Sequence, residues 1–162
     1  MYYGRNRLKQ LIRGKPICFG YKLWALCGTE RYCYNFSLYC GKESDARNDT
    51  PLGTQVVMKL TENFVNPSSY ILYFDNFFTS IDLLKSLGEQ GFRATGAIQE
   101  NRINHECPLE EFKSMRKKER GTFDFAFDEN SEIFLVRWND YSTVTVTTNF
   151  STLEPFFDVK RR

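Results

Sequence analysis

The residue best placed to do chemistry in this chain is Asp75. It directly follows the unbroken apolar run Tyr70-Ile71-Leu72-Tyr73-Phe74, and such a run reads as a strand covered on both faces. In open α/β sheets ligands bind outside the carboxyl ends of strands. A carboxylate there can hold Mg²⁺, which takes oxygen ligands and keeps waters or substrate phosphates in its remaining positions. Phosphoryl-transfer sites pair two such ions about 3.5–4 Å apart, clamping the attacking and leaving oxygens. A second reading stays open, because Asp and Asn both favour turns and Asp75-Asn76 can simply join a strand to a helix. One carboxylate is not an active site.

The other candidates offer less. Asp45, Asp49, Asp128 and Asp140 fall in expected loops or turns, and Asn139-Asp140 has ordinary turn chemistry. The sequence contains no G-x-S-x-G, no phosphate-binding glycine loop and no Cys–His couple, and its single histidine, His105, lies in a polar stretch. The five cysteines, Cys18, Cys27, Cys33, Cys40 and Cys107, form no C-x-x-C pair, so the four-ligand spacing of a structural zinc site is missing. Cys18, Cys27, Cys33 and Cys40 sit in apolar, strand-like runs and are expected as reduced thiols packed as small hydrophobes.

Charge is informative in its distribution. The net value is only +2. Yet no acid precedes Glu30, while Arg5, Arg7, Lys9, Arg13, Lys15 and Lys22 all do. Lys113, Arg116, Lys117, Lys118 and Arg120 form a second basic cluster, and Lys160, Arg161 and Arg162 a third. Each run reads either as solvated surface or as a contact for phosphates. Met1 leads straight into Arg5 and Arg7, no apolar run approaches the ~18 residues of a membrane span, and a nuclear or cytosolic setting is expected. The N-x-S/T matches at Asn35, Asn48 and Asn149 are accordingly read as chance.

The elements that must position Asp75 follow from periodicity. Phe19, Tyr21, Leu23, Ala25 and Cys27 share one face of an extended run, Gly28-Thr29-Glu30-Arg31 has turn chemistry, and Tyr32 to Tyr39 alternates again, so a β-hairpin is expected. Residues 1–16 carry little periodic signal. Thr50-Pro51 reads as an N-cap followed by proline at the first helical position. Leu52, Val56, Leu60 and Phe64 then recur at helical spacing, predicting a helix over 51–65 that Asn66-Pro67 ends. After the strand at 70–74, Ser80 is expected to cap a second helix with Asp82 in its first turn, and Gly88 or Gly91 to close it. A strand over 92–98 follows. Beyond Gln99 the chain turns polar and basic, with a short helix expected from Pro108 to Met115. Strands are expected around Phe123–Phe127, Ile133–Trp138 and Thr143–Thr148, forming a small antiparallel β-subdomain. With about 160 residues and an aromatic share of 16%, the chain can bury a real core. Trp24 and Trp138 are expected in that core or at a subdomain interface rather than as base-stacking platforms.

Several of these segments together resemble the piggyBac transposases and their domesticated derivatives. The residues that carry the likeness are Gly14-Lys15-Pro16 with Phe19-Gly20-Tyr21-Lys22-Leu23-Trp24, the tyrosine-rich Tyr32–Gly41, Leu52-Gly53 with Val56-Val57, the hexapeptide Asp75-Asn76-Phe77-Phe78-Thr79-Ser80, Ala94-Thr95-Gly96 with Asn101-Arg102, and Arg137-Trp138. The match runs in order through the whole chain. It implies an α/β, RNase H-like transposase core, incomplete here over residues 1–98, interrupted by an inserted β-rich subdomain over 99–155 and followed by a basic end at 156–162. It implies metal-dependent DNA cutting and rejoining with Mg²⁺ or Mn²⁺, at TTAA targets and terminal repeats. It makes Asp75 the second catalytic aspartate and a metal ligand, and it makes Arg5, Arg7, Lys9, Arg13 and Lys15 candidates for DNA contact.

The same resemblance places the first aspartate on a strand before Gly4-Arg5 and another acid beyond Arg162. With only Asp75 retained, the expectation is a fragment or degraded copy, catalytically inactive, with an exposed sheet edge that invites self-association. A domesticated DNA- or protein-binding module and a piece of an active transposase split by a gene-model error are the rival expectations.

Overall fold

The computed structural model describes residues 8–40, 50–104 and 106–153. The chain divides into two compact units, residues 1–63 and 64–162.

In the first unit a two-residue strand β1 (Gln10–Leu11) pairs antiparallel with β2 (Phe19–Gly20). Gly14, at φ 81°, takes a left-handed backbone in the segment between them, a conformation open to glycine because it has no Cβ. The expected hairpin is present as β3 (Leu23–Cys27) against β4 (Cys33–Leu38). The extended run at 17–27 is therefore two short strands, and the aperiodic opening contains one; ladders of two residues are too short to show a period. Helix α1 (Leu52–Thr61) lies on the hairpin, and the Asn35 side-chain amide donates to the carbonyl of Leu60 at 3.0 Å. Val56, Val57 and Leu60 are buried as the helical stripe requires. The N-terminal detail differs from expectation: Pro51 itself occupies the cap and no side chain caps the helix. The helix stops at Thr61, short of Phe64, and the Thr61 hydroxyl donates back to the Val57 carbonyl at 2.9 Å. The cysteines correct another expectation: Cys18, Cys27, Cys33 and Cys40 are free thiols but stand exposed rather than packed as small hydrophobes.

The second unit is built on one five-stranded mixed sheet of order β5-β6-β9-β8-β7. Strand β5 (Ile71–Phe74) leads through a turn into α2 (Ile81–Glu89) and back into β6 (Arg93–Ala97), which runs parallel to β5. Ser80 caps α2 as expected, its hydroxyl accepting from the Leu83 amide at 3.2 Å. Gly91, at φ 84°, follows the last turn in the left-handed conformation usual there. A short α3 (Phe112–Met115) precedes the antiparallel strands β7 (Phe123–Asp128), β8 (Ile133–Asn139) and β9 (Thr143–Thr148). These three strands do not stand apart: β9 pairs antiparallel with β6, Thr95 opposite Thr148.

The core of this unit is Leu83, Leu84 and Leu87 of α2, with Phe92, Ala94, Met115, Ile133 and Leu135. Each of the leucine, isoleucine, phenylalanine and methionine side chains among them stabilises by about 1.5–3 kcal/mol when removed from water. Asn149 ties the layers together. Its carbonyl oxygen accepts from the Ala94 amide at 2.8 Å, and its amide donates to the carbonyls of Phe92 and Leu84 at 3.0 and 3.1 Å. One expectation about β5 fails. Leu72 is buried, but Ile71 and Tyr73 are 38% and 71% exposed, because β5 is an edge strand with one face open.

Candidate active site

Asp75 is the first residue past β5, and its surroundings are made almost wholly by backbone. Its carboxylate Oδ1 accepts from the Phe77 amide at 2.9 Å, the local bond that makes aspartate a turn former. Its carbonyl oxygen receives three donors: the amides of Phe78 and Thr79 at 3.2 and 3.3 Å, and the Thr79 hydroxyl at 2.8 Å. Thr79 is fully buried, whereas Asp75 is exposed. The turn thus hides its backbone and presents its carboxyl to solvent.

Two residues from elsewhere in the unit hold that turn. Arg102, just after β6, donates from Nη1 to the carbonyls of Asn76, Phe77 and Thr79 at 3.1, 3.0 and 2.8 Å. A guanidinium directed at three carbonyls fixes the loop through charge-assisted bonds, which are stronger than neutral ones. Gly96 of β6 supplies clearance. A Cβ there would collide with the Thr79 hydroxyl and would lie 2.7–2.8 Å from the Phe74 ring and carbonyl. Gly96 and Arg102 lie in the stretches Ala94-Thr95-Gly96 and Asn101-Arg102, whose residue types announce neither task. Spacing alone cannot show a guanidinium reaching back 23–26 residues to bare carbonyls.

A two-ion site needs several carboxylates converging on the metals. Among the described residues no group of three or more His, Cys, Asp or Glu side chains could hold an ion. Asp75 alone, with one oxygen engaged by the Phe77 amide, does not fit such a centre. The remaining acids have local tasks. Asp128 accepts from the Asn130 amide at 3.1 Å and from the Ser131 hydroxyl, and that hydroxyl holds its carboxyl below the usual carboxylate range. Asp140 pairs with Arg120 at 2.7 Å. Asp45, Asp49 and His105 lie outside the described residues.

The basic runs separate into two kinds. In the second cluster Lys118 pairs with Glu110 at 2.5 Å and Arg120 with Asp140, so part of that charge is spent internally. Lys113, Arg116 and Lys117 are exposed. Of the early residues, Arg13 and Lys15 are exposed and Lys9 half-buried, whereas Arg5 and Arg7 lie outside the described residues.

Residues 2–162 match the family described as Transposase IS4. The chain is also 40% identical over 163 residues to human piggyBac transposable element-derived protein 3, covering 99% of this chain and 27% of that protein. The chain belongs to the piggyBac family of DDE-type transposases and transposase-derived proteins. Human piggyBac transposable element-derived protein 2 is 37% identical over 161 residues, covering 95% of this chain and 26% of that protein. A cryo-EM structure of the piggyBac transposase synaptic complex with hairpin DNA superposes with a TM-score of 0.78 at 27% identity, over 97% of this chain and 32% of that one. The chain therefore spans about a quarter to a third of the piggyBac proteins it matches. No described helix is long and apolar enough to cross a membrane.

Proposed function

We propose that this chain is a central stretch of a piggyBac-type transposase domain in which Asp75 is one acid of a divalent-metal site, and that the chain by itself does not cut DNA. The observation that carries the reading is the Asp75 turn. An exposed carboxylate stands at the carboxyl tip of a parallel strand, the turn that follows it is clamped by Arg102, and among the described residues no group of three or more His, Cys, Asp or Glu side chains gathers to hold an ion. On this reading residues 1–98 are part of an RNase H-like core and residues 99–155 an insertion whose strands extend the core's sheet. Mg²⁺ or Mn²⁺ would require carboxylates in addition to Asp75. The intact protein would act on DNA in the nucleus, with TTAA sites and terminal repeats as the sequences to test; the solved relative in complex with hairpin DNA supports the DNA part of this reading.

The experiment incubates the chain with duplex DNA carrying TTAA and either Mg²⁺ or Mn²⁺, and follows strand nicking. No cleavage above the metal-free control is expected. Metal-dependent nicking by the chain that disappears in Asp75→Ala would refute inactivity while upholding the role of Asp75. Nicking that survives Asp75→Ala would overturn both.

A second reading, a domesticated DNA-binding module, is favoured by Lys9, Arg13 and Lys15 standing in a segment without acids. Binding through three to five phosphates, counting Arg5 and Arg7, predicts a slope of log affinity on log salt of roughly −3 to −5. A flat salt response would remove this reading.

A further inference from the structure

Cys27 and Cys33 close the two strands of the β3–β4 hairpin, and the ladder sets them directly opposite each other. This pairing is made by an irregularity. The register runs Leu23 with Leu38, Trp24 with Ser37, Ala25 with Phe36 and Leu26 with Asn35, and then slips, so that Cys27 faces Cys33 instead of Tyr34. Tyr34 is the extra residue of a bulge, a feature that re-aims side chains. Its ring lies over Gly28, where a Cβ would come within 2.9 Å of it, and packs edge-on to Tyr32 with ring centroids 5.0 Å apart. The loop between the cysteines is held by the Gly28 amide on the Tyr32 carbonyl at 2.8 Å and the Arg31 amide on the Gly28 carbonyl at 3.0 Å.

We propose that Cys27 and Cys33 form a dithiol site whose substrate is a low-molecular-weight disulfide, and that it closes reversibly to a cross-strand disulfide. Directly opposed residues of an antiparallel pair have Cα atoms about 4.5–5.5 Å apart, inside the roughly 4.4–6.8 Å that a disulfide spans. Both thiols are exposed, so the reagent can reach them. They also sense each other: partial desolvation first, and then the neighbouring Cys33 thiol, push the Cys27 thiol up from its ordinary value of 9.0. The remaining cysteines lack such a facing partner in any described ladder; thiol-to-carbonyl contacts do not separate the two kinds, since Cys18, Cys33 and Cys40 direct their thiols at the carbonyls of Lys15, Asn35 and Leu38.

The chemistry balances in two exchanges. One cysteine thiolate attacks a sulfur of the external disulfide, forming a mixed disulfide and releasing one small thiol. The second thiolate attacks the protein-side sulfur, forming the Cys27–Cys33 bond and releasing the other small thiol. Two electrons pass to the external disulfide, and the two cysteine protons end on the released thiols. Attack is by thiolate, so closure accelerates as pH rises. An exposed disulfide of this kind is the readily reduced, reversible sort.

The test uses the whole chain and oxidised glutathione. The thiol count should fall from five to three, and excess reduced glutathione should restore it. After residual thiols are alkylated and the chain is denatured, trypsin cuts after Lys22, Arg31 and Lys42, so residues 23–31 and 32–42 should emerge as one linked species that reduction splits. Cys40→Ser, Cys18→Ser and Cys107→Ser should retain the linked species, and Cys27→Ser should abolish it. Stable glutathione adducts at both cysteines without closure, or a bond from Cys33 to any other cysteine, overturn the proposal. Fragmentation of the linked species from the unaltered chain, which must place the alkyl group on Cys40 and the bond on Cys33, decides this even if a variant misfolds.

Discussion

Arg137 should be the most consequential polar residue of the second unit, although no chemistry is expected of it. It sits mid-strand in β8, only 1% exposed. Its Nε donates to the Thr145 hydroxyl at 2.9 Å, Nη1 donates to the Glu110 carbonyl, and Nη2 pairs with the Glu100 carboxylate, while the guanidinium stands 6.0 Å from the Phe112 ring centroid. One side chain therefore joins β8 to β9, to the segment after β6 and to the segment before α3. Arg137→Leu keeps apolar volume but removes every donor. Bonds to a charged group contribute about 1.5–3 kcal/mol each, and a buried acceptor left unmet costs about 1–3 kcal/mol. The Glu100 side chain is 51% exposed, so that pair is screened and counts for about 1 kcal/mol or less. The leucine recovers some apolar burial, leaving a net loss of about 3 kcal/mol. Urea denaturation followed by Trp138 fluorescence in a Trp24→Phe background reports on this unit. At an m-value of about 2 kcal/mol per molar the midpoint should fall by roughly 1.5 M. Glu100→Gln, which keeps an acceptor, should cost under about 1 kcal/mol. If Arg137→Leu stayed within about 0.5 kcal/mol of the parent, or Glu100→Gln cost as much, the account of a buried three-way tie would fail.

Three further outcomes follow from the same geometry. Gly96→Ala forces a Cβ against the Thr79 hydroxyl and the Phe74 carbonyl, and overpacking of this kind should cost about 1–3 kcal/mol by the same denaturation assay; a neutral result would mean the turn is not held against β6. Arg102→Ala removes three charge-assisted bonds from the exposed Asp75 turn, so the amides of residues 76–79 should exchange with solvent roughly tenfold faster, about 1.4 kcal/mol, and unchanged exchange would dismiss the clamp. Glu110 is held below its ordinary value of 4.5, chiefly by Lys118 and then by Ser114. A lowered folded value means that its contribution is present above that ordinary value and fades as pH falls through the folded one. The gap in thermal midpoint between the parent and Glu110→Gln should therefore close on acidification below pH 4.5, and a gap that widened there would reverse the sign.

Local signals that the sequence carries in full were legible. The Ser80 cap, the Val56 and Leu60 stripe of α1, the Gly91 termination and the strands at β7, β8 and β9 all depend on neighbours a few residues away, and all are present. What the sequence could not display was which face of a strand is covered. Phe123, Phe125 and Phe127 alternate cleanly, yet they are about half exposed, while the opposite face of the sheet buries Arg137, Asn139, Thr143, Thr145 and Thr147. Period 2 gives two faces and no sign. For the same reason the cysteines of the β3–β4 hairpin were expected inside and stand outside. The Asp75 turn was legible as a strand end, but its two supports, Gly96 and Arg102, act through close approach and backbone carbonyls, which leave no pattern in residue types. Asn149 was read only as a chance glycosylation match, although its amide bridges α2 and β6.

Whether Asp75 is kept for its charge or for its turn can be separated, because the two demands fall on different atoms. The turn needs one oxygen to accept the Phe77 amide, and an asparagine carbonyl oxygen does that as well as a carboxylate. A metal site needs negative charge, which asparagine lacks. Asp75→Asn should therefore leave stability within about 0.5 kcal/mol of the parent, while Asp75→Ala, which strands the Phe77 amide at an exposed turn, should cost about 1 kcal/mol. Should asparagine destabilise as much as alanine, the charge itself would be part of the fold, and the assignment of Asp75 as an acid presented to solvent for metal would lose its physical basis.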